Sequence, residues 1–458
     1  MRAAELRKLD DDLTEFVGEL FVGMGRIERR TSMRCYVEGL LLDGERKSTE
    51  PMARRLVRDE GEVEAMRQRL QECVAHGNWA HAEMFRRVGR KVDAELVGTE
   101  ALILDDTGFP KKGVHSVGVQ RQYSGTLGRV DNCQVGVSLH LGGERGSCCI
   151  DMRLYLPQEW CDDKPRRDSV GVPADVVFKK KWEIALGQLD DAVARGVRKH
   201  VVLADAGFGD VTEFREQLEE KGFSYVVGAA SVIKVWAPGT GPVHVPGVPP
   251  GQRKQGRPRT KRFKTGAEKP MTLVELAMSR GTAGLKQLTW REGSRGPQRS
   301  SFGALRVRTS HGHAAGKAPG SEVWLMWAWP KGKEKPEKFW LSNLPATTSL
   351  KRLVHLAKLR WRVERDYQEM KGEVGLDHYE GRTWRGWHHH CALVAVAHAF
   401  LTLQRVLSPP ILDDDLDSAA SSPAASAGAP PAPRRLPVVR AQGSRARAAT
   451  TALANLIG

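Results

Sequence analysis

Residues 101–106 read ALILDD, and residues 200–210 read HVVLADAGFGD. Each is a short apolar run closed by an acid: Asp105 and Asp106 in the first, Asp205 in the second. Such a run fits a buried central strand, covered on both faces. Between the two lies SVGVQRQYSGTLGRVDNCQVGVSLHL, where Gly125 and Gly128 sit between two strand-like arms and predict a hairpin. Its second arm alternates, with Val135, Val137, Leu139 and Leu141 on one face. A further alternating run places Ile150, Met152, Leu154 and Leu156 together, and Pro157 ends it. Trp182, Ala185, Leu186, Leu189 and Val193 recur at helical spacing and predict a helix over 179–195. A short helix at 210–221 and a strand, FSYVVGA, follow. The order strand–strand–strand–helix–strand–helix–strand predicts an α/β fold with a mixed sheet. Its first and fourth strands can lie side by side, and their ends would bring Asp105 and Asp205 together.

The flanks differ in texture. Residues 1–95 carry apolar positions at helical spacing and predict a helical N-terminal domain. It is either a bundle packed on the next domain or a DNA-end-binding domain. Residues 96–229 form the first part of the core, and 230–345 interrupt it. The segment GTGPVHVPGVPPGQRKQGRPRTKRFKTG is rich in Gly, Pro and basic residues, with seven basic residues and no acid from Gln252 to Lys264. Strand-like pieces follow it, so 230–345 reads as a β-rich insertion with a basic entrance loop. Residues 346–407 return to helices, one at 350–372 and one from His388. The tail, 408–458, turns to Pro, Ala and Ser without apolar period and reads as low-complexity or disordered.

Lys and Arg number 71 against 55 Asp and Glu, an excess of 71 − 55 = 16, with a pI near 9.6. That balance favours a polyanionic partner, most simply nucleic acid. No apolar run approaches the roughly 20 residues that span a bilayer. The charged N-terminus lacks the apolar centre of a signal peptide. No membrane association is expected, and the location expected is the cytoplasm. Seven cysteines without a CxxC pair read as reduced thiols.

Residues 358–382 read KLRWRVERDYQEMKGEVGLDHYEGR. At about 100° per residue, Arg360, Glu364 and Lys371 fall within about 40° on a helix, with Tyr367 beside them. Leu356, Val363, Met370 and Val374 form an adjoining apolar stripe. Alone, Arg360 and Glu364 read as an i,i+4 surface pair. With two acid-tipped strands upstream, Asp105, Asp205 and Glu364 form a set suited to phosphoryl transfer on nucleic acid. Carboxylates can hold two hard cations about 3.5–4 Å apart, one activating the attacking oxygen and one stabilising the leaving oxygen. Magnesium prefers such ligands, and adjacent cations such as Arg360 and Lys371 suit phosphates.

The motifs DDTGFPKKG, SVGVQRQYSG, DNCQVG, VVLADAGFGD and FWLSNLP, with the 358–382 segment, resemble bacterial insertion-sequence transposases of the DDE type over roughly residues 15–405. The resemblance implies an RNase H-like catalytic domain. Asp105, Asp205 and Glu364 would be the catalytic acids and metal ligands, for two Mg²⁺ ions with Mn²⁺ as a substitute. Asp106 is the alternative to Asp105; the family's acid-x-Thr pattern favours Asp105, two before Thr107. Relatives with such an insertion carry a Tyr-x2-Arg-x3-Glu-x6-Lys signature. Arg360, Glu364 and Lys371 match it, but position 357 is Ala357. The implied activity is hydrolysis of phosphodiesters at transposon ends and strand transfer into target DNA. Double-stranded DNA, as terminal inverted repeats and as target, is the partner, and a homodimer is expected in the synaptic complex. A host nuclease on the same fold and a non-cleaving DNA-binding remnant are the alternatives.

Three features carry two readings each. Arg257 and Arg259, in GRPR, read as a minor-groove arm or as a solvated loop touching phosphates. Trp290 reads as a base-stacking residue or as core. His388, His389 and His390 point three ways on a helix, which argues against a metal and for structural or phosphate contacts.

Overall fold

The structure is a computed structural model that describes residues 3–244, 263–264, 268–293, 296–311 and 320–407. The expectations for Arg257, Arg259 and the tail from 408 lie outside the described residues. Among the described residues, one mixed sheet has 12 strands. Its strands are β1 (Thr99–Pro110), β2 (Gln120–Ser124), β3 (Arg129–Gly143), β4 (Ser147–Tyr155), β5 (Val201–Ala204) and β6 (Tyr225–Ala229), then β7 (Lys234–Trp236), β8 (Met271–Thr272), β9 (Lys286–Gly293), β10 (Gly296–Thr309), β11 (Val323–Trp329) and β12 (Lys338–Ser342). The order is β8-β7-β10-β11-β12-β6-β5-β1-β3-β2, with β9 on β10 and β4 on β3. Strands β1, β5 and β6 pair in parallel. The fold is therefore α/β, a mixed sheet flanked by helices with a helical N-terminus, consistent with an RNase H-like core.

The longer helices are α1 (Ala3–Phe21), α2 (Ile27–Leu41), α3 (Thr49–Leu56), α4 (Val63–Ala75), α5 (His81–Glu95), α6 (Lys181–Ala194), α7 (Thr212–Glu220), α8 (Leu273–Arg280), α9 (Leu350–Leu359), α10 (Trp361–Gly372) and α11 (Trp384–Leu407). Two features concern organisation. The strands of 230–345 extend the central sheet, because β12 pairs antiparallel with β6. The helices of 1–95 share one apolar cluster with α11 and the sheet.

That shared cluster explains the last helix. Every residue from Gly386 to Leu403 is buried, as expected of a helix apolar on all sides. Helices α2, α4 and α5 pack on it, and so does β4. The three histidines each engage a different neighbour. His388 stacks on His81 at 4.6 Å. His389 stacks on Trp79 at 3.8 Å and faces the Val74 and Trp79 carbonyls, each at 2.9 Å. His390 donates from Nε2 to the Gly375 and Leu376 carbonyls at 3.1 Å, and its Nδ1 lies 2.9 Å from the Tyr36 hydroxyl. All three are at most 2% exposed, so a phosphate cannot reach them. Burial pushes His389 and His390 down to about 4, so both are neutral at physiological pH. His389→Ala would leave one buried carbonyl without its donor and open a cavity, at a cost of about 2–4 kcal/mol. Urea unfolding should show the midpoint falling with an unchanged slope.

Candidate catalytic site

Parity along two strands builds the site. Ala101, Leu102 and Ile103 pair with Val201, Val202 and Leu203. This offset, carried forward two residues, sets Asp105 beside Asp205. Successive side chains alternate between faces. Ala101, Ile103 and Leu203 join the cluster formed with Leu353, Val354 and Leu356 of α9 and Val363 of α10, whereas Leu102, Leu104 and Val202 join the opposite one. Asp105 thus continues the α9–α10 face. Asp106 points the other way and pairs with Lys181 of α6 at 2.8 Å.

Asp105 is not at a strand end, contrary to the sequence reading. β1 runs on to Pro110 because β3 remains its partner throughout, with Asp105 opposite Ser138. Only the parallel ladder stops, where β5 ends at Ala204. Asp205 then caps one turn of helix, Ala206–Gly209, its Oδ1 accepting from the Phe208 N–H at 3.4 Å. The turn lies so close to β6 that a Cβ on Gly209 would stand 1.9 Å from the Gly228 carbonyl.

The single helix expected over 350–372 is divided at Arg360, which joins α9 to α10 at φ −53°, ψ −25°. Arg360 Nη1 donates to Asp105 Oδ2 at 2.9 Å, and Nη2 to Glu364 Oε1 at 3.0 Å. One guanidinium therefore joins the first acid to the third. Burial pushes the Asp105 carboxyl up to about 7; Arg360 pulls it down, and the charges of Asp205 and Asp106 push it up. Glu364 has a side chain 63% exposed. Leu356, Val363, Met370 and Val374 are fully buried.

Lys371 lies on the same side but points inward. Its ammonium donates to Thr107 Oγ1 at 2.7 Å, to the Gly108 carbonyl at 3.0 Å and to Thr126 Oγ1 at 3.3 Å. It ties α10 to β1 and to the tip of the β2–β3 hairpin. Trp290 is half-buried, edge-on to Phe302 at 5.8 Å with the Lys358 ammonium 4.2 Å from its ring. Burial pushes that lysine down to about 8. Ala357 is buried at 8% and offers no hydroxyl. Tyr367 turns its own hydroxyl to Ser138 Oγ at 2.5 Å. Sequence reasoning missed Thr126, Ser138, His140 and Asp366, which pack around these groups.

The donor set is all carboxylate oxygen, the chemistry that hard divalent cations require. Asp105 and Asp205 are close enough for their charges to interact. As the side chains stand, no group of three or more His, Cys, Asp or Glu that could hold a metal occurs among the described residues. Arg360 holds both Asp105 and Glu364 by its fork. The donor chemistry suits a divalent cation, which Asp105, Asp205 and Glu364 would hold if Glu364 turned from Arg360 toward the aspartates.

Comparison with known proteins places the chain in a family. A protein family described as "DDE superfamily endonuclease" matches residues 19–297. The match includes Asp105 and Asp205 and ends before Glu364. The chain is also similar to the "Probable transposase for insertion sequence element IS701" of Microchaete diplosiphon. The two are 32% identical over 131 residues, 28% of this chain and 32% of that relative. The match thus spans about a third of the relative's length. Among the described residues, no helix is long and apolar enough to cross a membrane.

The raised Asp105 carboxyl sets a pH dependence. Its proton is held more tightly in the folded than in the unfolded state, where the pKa is near 4. The stabilisation this gives is complete below about pH 4 and is lost as pH rises to about 7. Asp105→Asn should therefore be more stable than the parent by ~2–4 kcal/mol at about pH 8 in chelator, and close to it at about pH 4. Urea unfolding at both pH values tests this; a gap that does not change with pH contradicts it.

Proposed function

The chain belongs to the DDE superfamily of endonucleases, and on that premise we propose that it is a transposase that cleaves DNA at transposon ends and joins the freed 3′-OH to target DNA. The observation that carries this reading is the register that sets Asp105 beside Asp205 on adjacent strands, with Glu364 linked to Asp105 through Arg360. Asp105, Asp205 and Glu364 would hold two Mg²⁺ ions, or Mn²⁺, which when bound activate a water and stabilise the leaving oxygen. Arg360, freed from the carboxylates, would have its fork available for a DNA phosphate. Lys371, whose three donors are taken by Thr107, Gly108 and Thr126, would keep α10 seated and, contrary to the sequence expectation, has no donor left for a phosphate. The helices of 1–95, with Arg257, Arg259 and Trp290 of the insertion, would bind the terminal repeats. Two ends must be held together, so the working form would be a homodimer on DNA. The site of action would be the cytoplasm, at the nucleoid.

Purified protein with Mg²⁺ and DNA carrying the element's terminal repeats should release a 3′-OH end. Glu364→Gln should lower the rate by about 10³-fold or more, the scale of several kcal/mol of lost charge stabilisation. Equal cutting of unrelated DNA would point to a host nuclease, and tight binding without cutting to a remnant.

A separate outcome concerns the basic loop. Arg257→Ala with Arg259→Ala should weaken repeat binding and reduce the slope of log K against log salt by about 2. A filter-binding salt titration reads it. An unchanged slope means that neither arginine meets a phosphate.

A further inference from the structure

Behind the carboxylates runs a buried polar chain that hydrolysis does not itself require. Asp366 and Tyr367 lie on α10, two and three residues past Glu364. Ser138 and His140 lie on β3, and Ser147 begins β4. The Ser147 hydroxyl donates to Asp366 Oδ1 at 2.6 Å, and Asp366 Oδ2 lies 2.6 Å from His140 Nδ1. His140 Nε2 is 3.0 Å from Ser138 Oγ. The Tyr367 hydroxyl is 2.5 Å from that same Oγ, which also reaches the Asp105 carbonyl at 3.5 Å. Ser138 and His140 are fully buried, and Asp366 and Ser147 are each 3% exposed.

The order Ser–His–Asp matches that of a hydrolytic nucleophile with its base and orienting acid. Here Ser138 has no exposed surface, so no substrate can reach it. The placement suggests a different use. Ser138 is the direct cross-strand partner of Asp105. Asp366 and Tyr367 are fixed to the helix that presents Glu364. The chain of bonds therefore spans the gap between the strand of the first acid and the helix of the third. Directional bonds fix rotation and axial position together, which apolar contact does not.

We propose that Ser138, His140, Asp366 and Tyr367 form a positioning network that sets where Glu364 stands relative to Asp105. The inference rests on the reading of Asp105, Asp205 and Glu364 as the catalytic acids. Rotation of α10 by one residue is about 100° and would carry Glu364 off the site. Smaller rotations would change its reach to a shared cation. The network excludes both while its bonds are made. A misplacement of about 1 Å in such a site can cost about 10²-fold in rate.

The full-length chain serves for the test, with Tyr367→Phe and Ser138→Ala as variants that each remove one hydroxyl and keep the packing. Mn²⁺ binding is measured by calorimetry without DNA. Single-turnover cleavage is measured against Mg²⁺ concentration, and repeat-DNA affinity in chelator. Each variant should weaken Mn²⁺ binding several-fold, raise the Mg²⁺ concentration for half-maximal rate, and lower the saturated rate about tenfold. DNA affinity should stay within about twofold. Normal Mn²⁺ binding and rate in both variants, even with a lower melting temperature, would reduce the network to a structural role and overturn the inference. If Glu364→Gln itself leaves Mn²⁺ binding and cleavage intact, the assignment of the acids fails. If Glu364→Gln abolishes both while the hydroxyl variants change neither, only the positioning role fails.

Discussion

Three parallel residue pairs, 101–103 against 201–203, are the constraint on which the site depends. Parallel strands join segments far apart in the chain, here by an offset of 100 residues. Their register is enforced by burial on both faces. Ile103 and Leu203 must meet one apolar cluster while Leu102 and Val202 meet the other. A slip of one residue would exchange the faces of a whole strand. It would expel Leu203 from its cluster and turn Asp205 away from Asp105. The acids thus hold their relation through the burial of their neighbours and need no attraction of their own. That matters because two adjacent carboxylates repel.

The two last helices combine the same two means in different proportion. α11 is buried throughout, with no exposed residue over more than four turns, and its histidines also face neighbouring carbonyls. α10 is held by polar bonds as much as by Val363 and Met370. Asp366 uses both carboxylate oxygens, Glu369 meets His398 and Arg405, and Lys371 meets three oxygens. Apolar contact gives adhesion with some freedom to slide. Hydrogen bonds of fixed direction give location. The helix that presents a candidate catalytic side chain takes part of its directional attachment, at Glu369, from α11 itself.

The sequence made Asp105 and Asp205 legible as candidates because each closes an apolar run, and the fold class because those runs are separated by helical periods. It misled about Asp105 as a strand end, since the extent of β1 depends on β3, a partner that periodicity cannot reveal. Nor could it show that the strands of 230–345 pair with the edge of the central sheet, since that pairing is set by β6 and β12. The polar network was missed for a narrower reason. Val137, Leu139 and Leu141 identified one face of β3, while Ser138 and His140 on the other passed as its polar side. In a strand covered on both faces, a serine and a histidine two residues apart require partners. Those partners, Asp366 and Tyr367, lie more than 200 residues away.

The histidine run has a consequence at the level of inherited change. His388, His389 and His390 each meet a different part of the N-terminal half: His81, then Trp79, then Tyr36. Substitution at one position disturbs one contact. A single codon inserted or deleted just upstream in α11 would turn all three by about 100° at once and hand each partner the wrong ring. The segment from Trp384 should thus tolerate exchanges of residue far better than changes of length. In descendants of this gene, length would be the property of the segment most stubbornly kept.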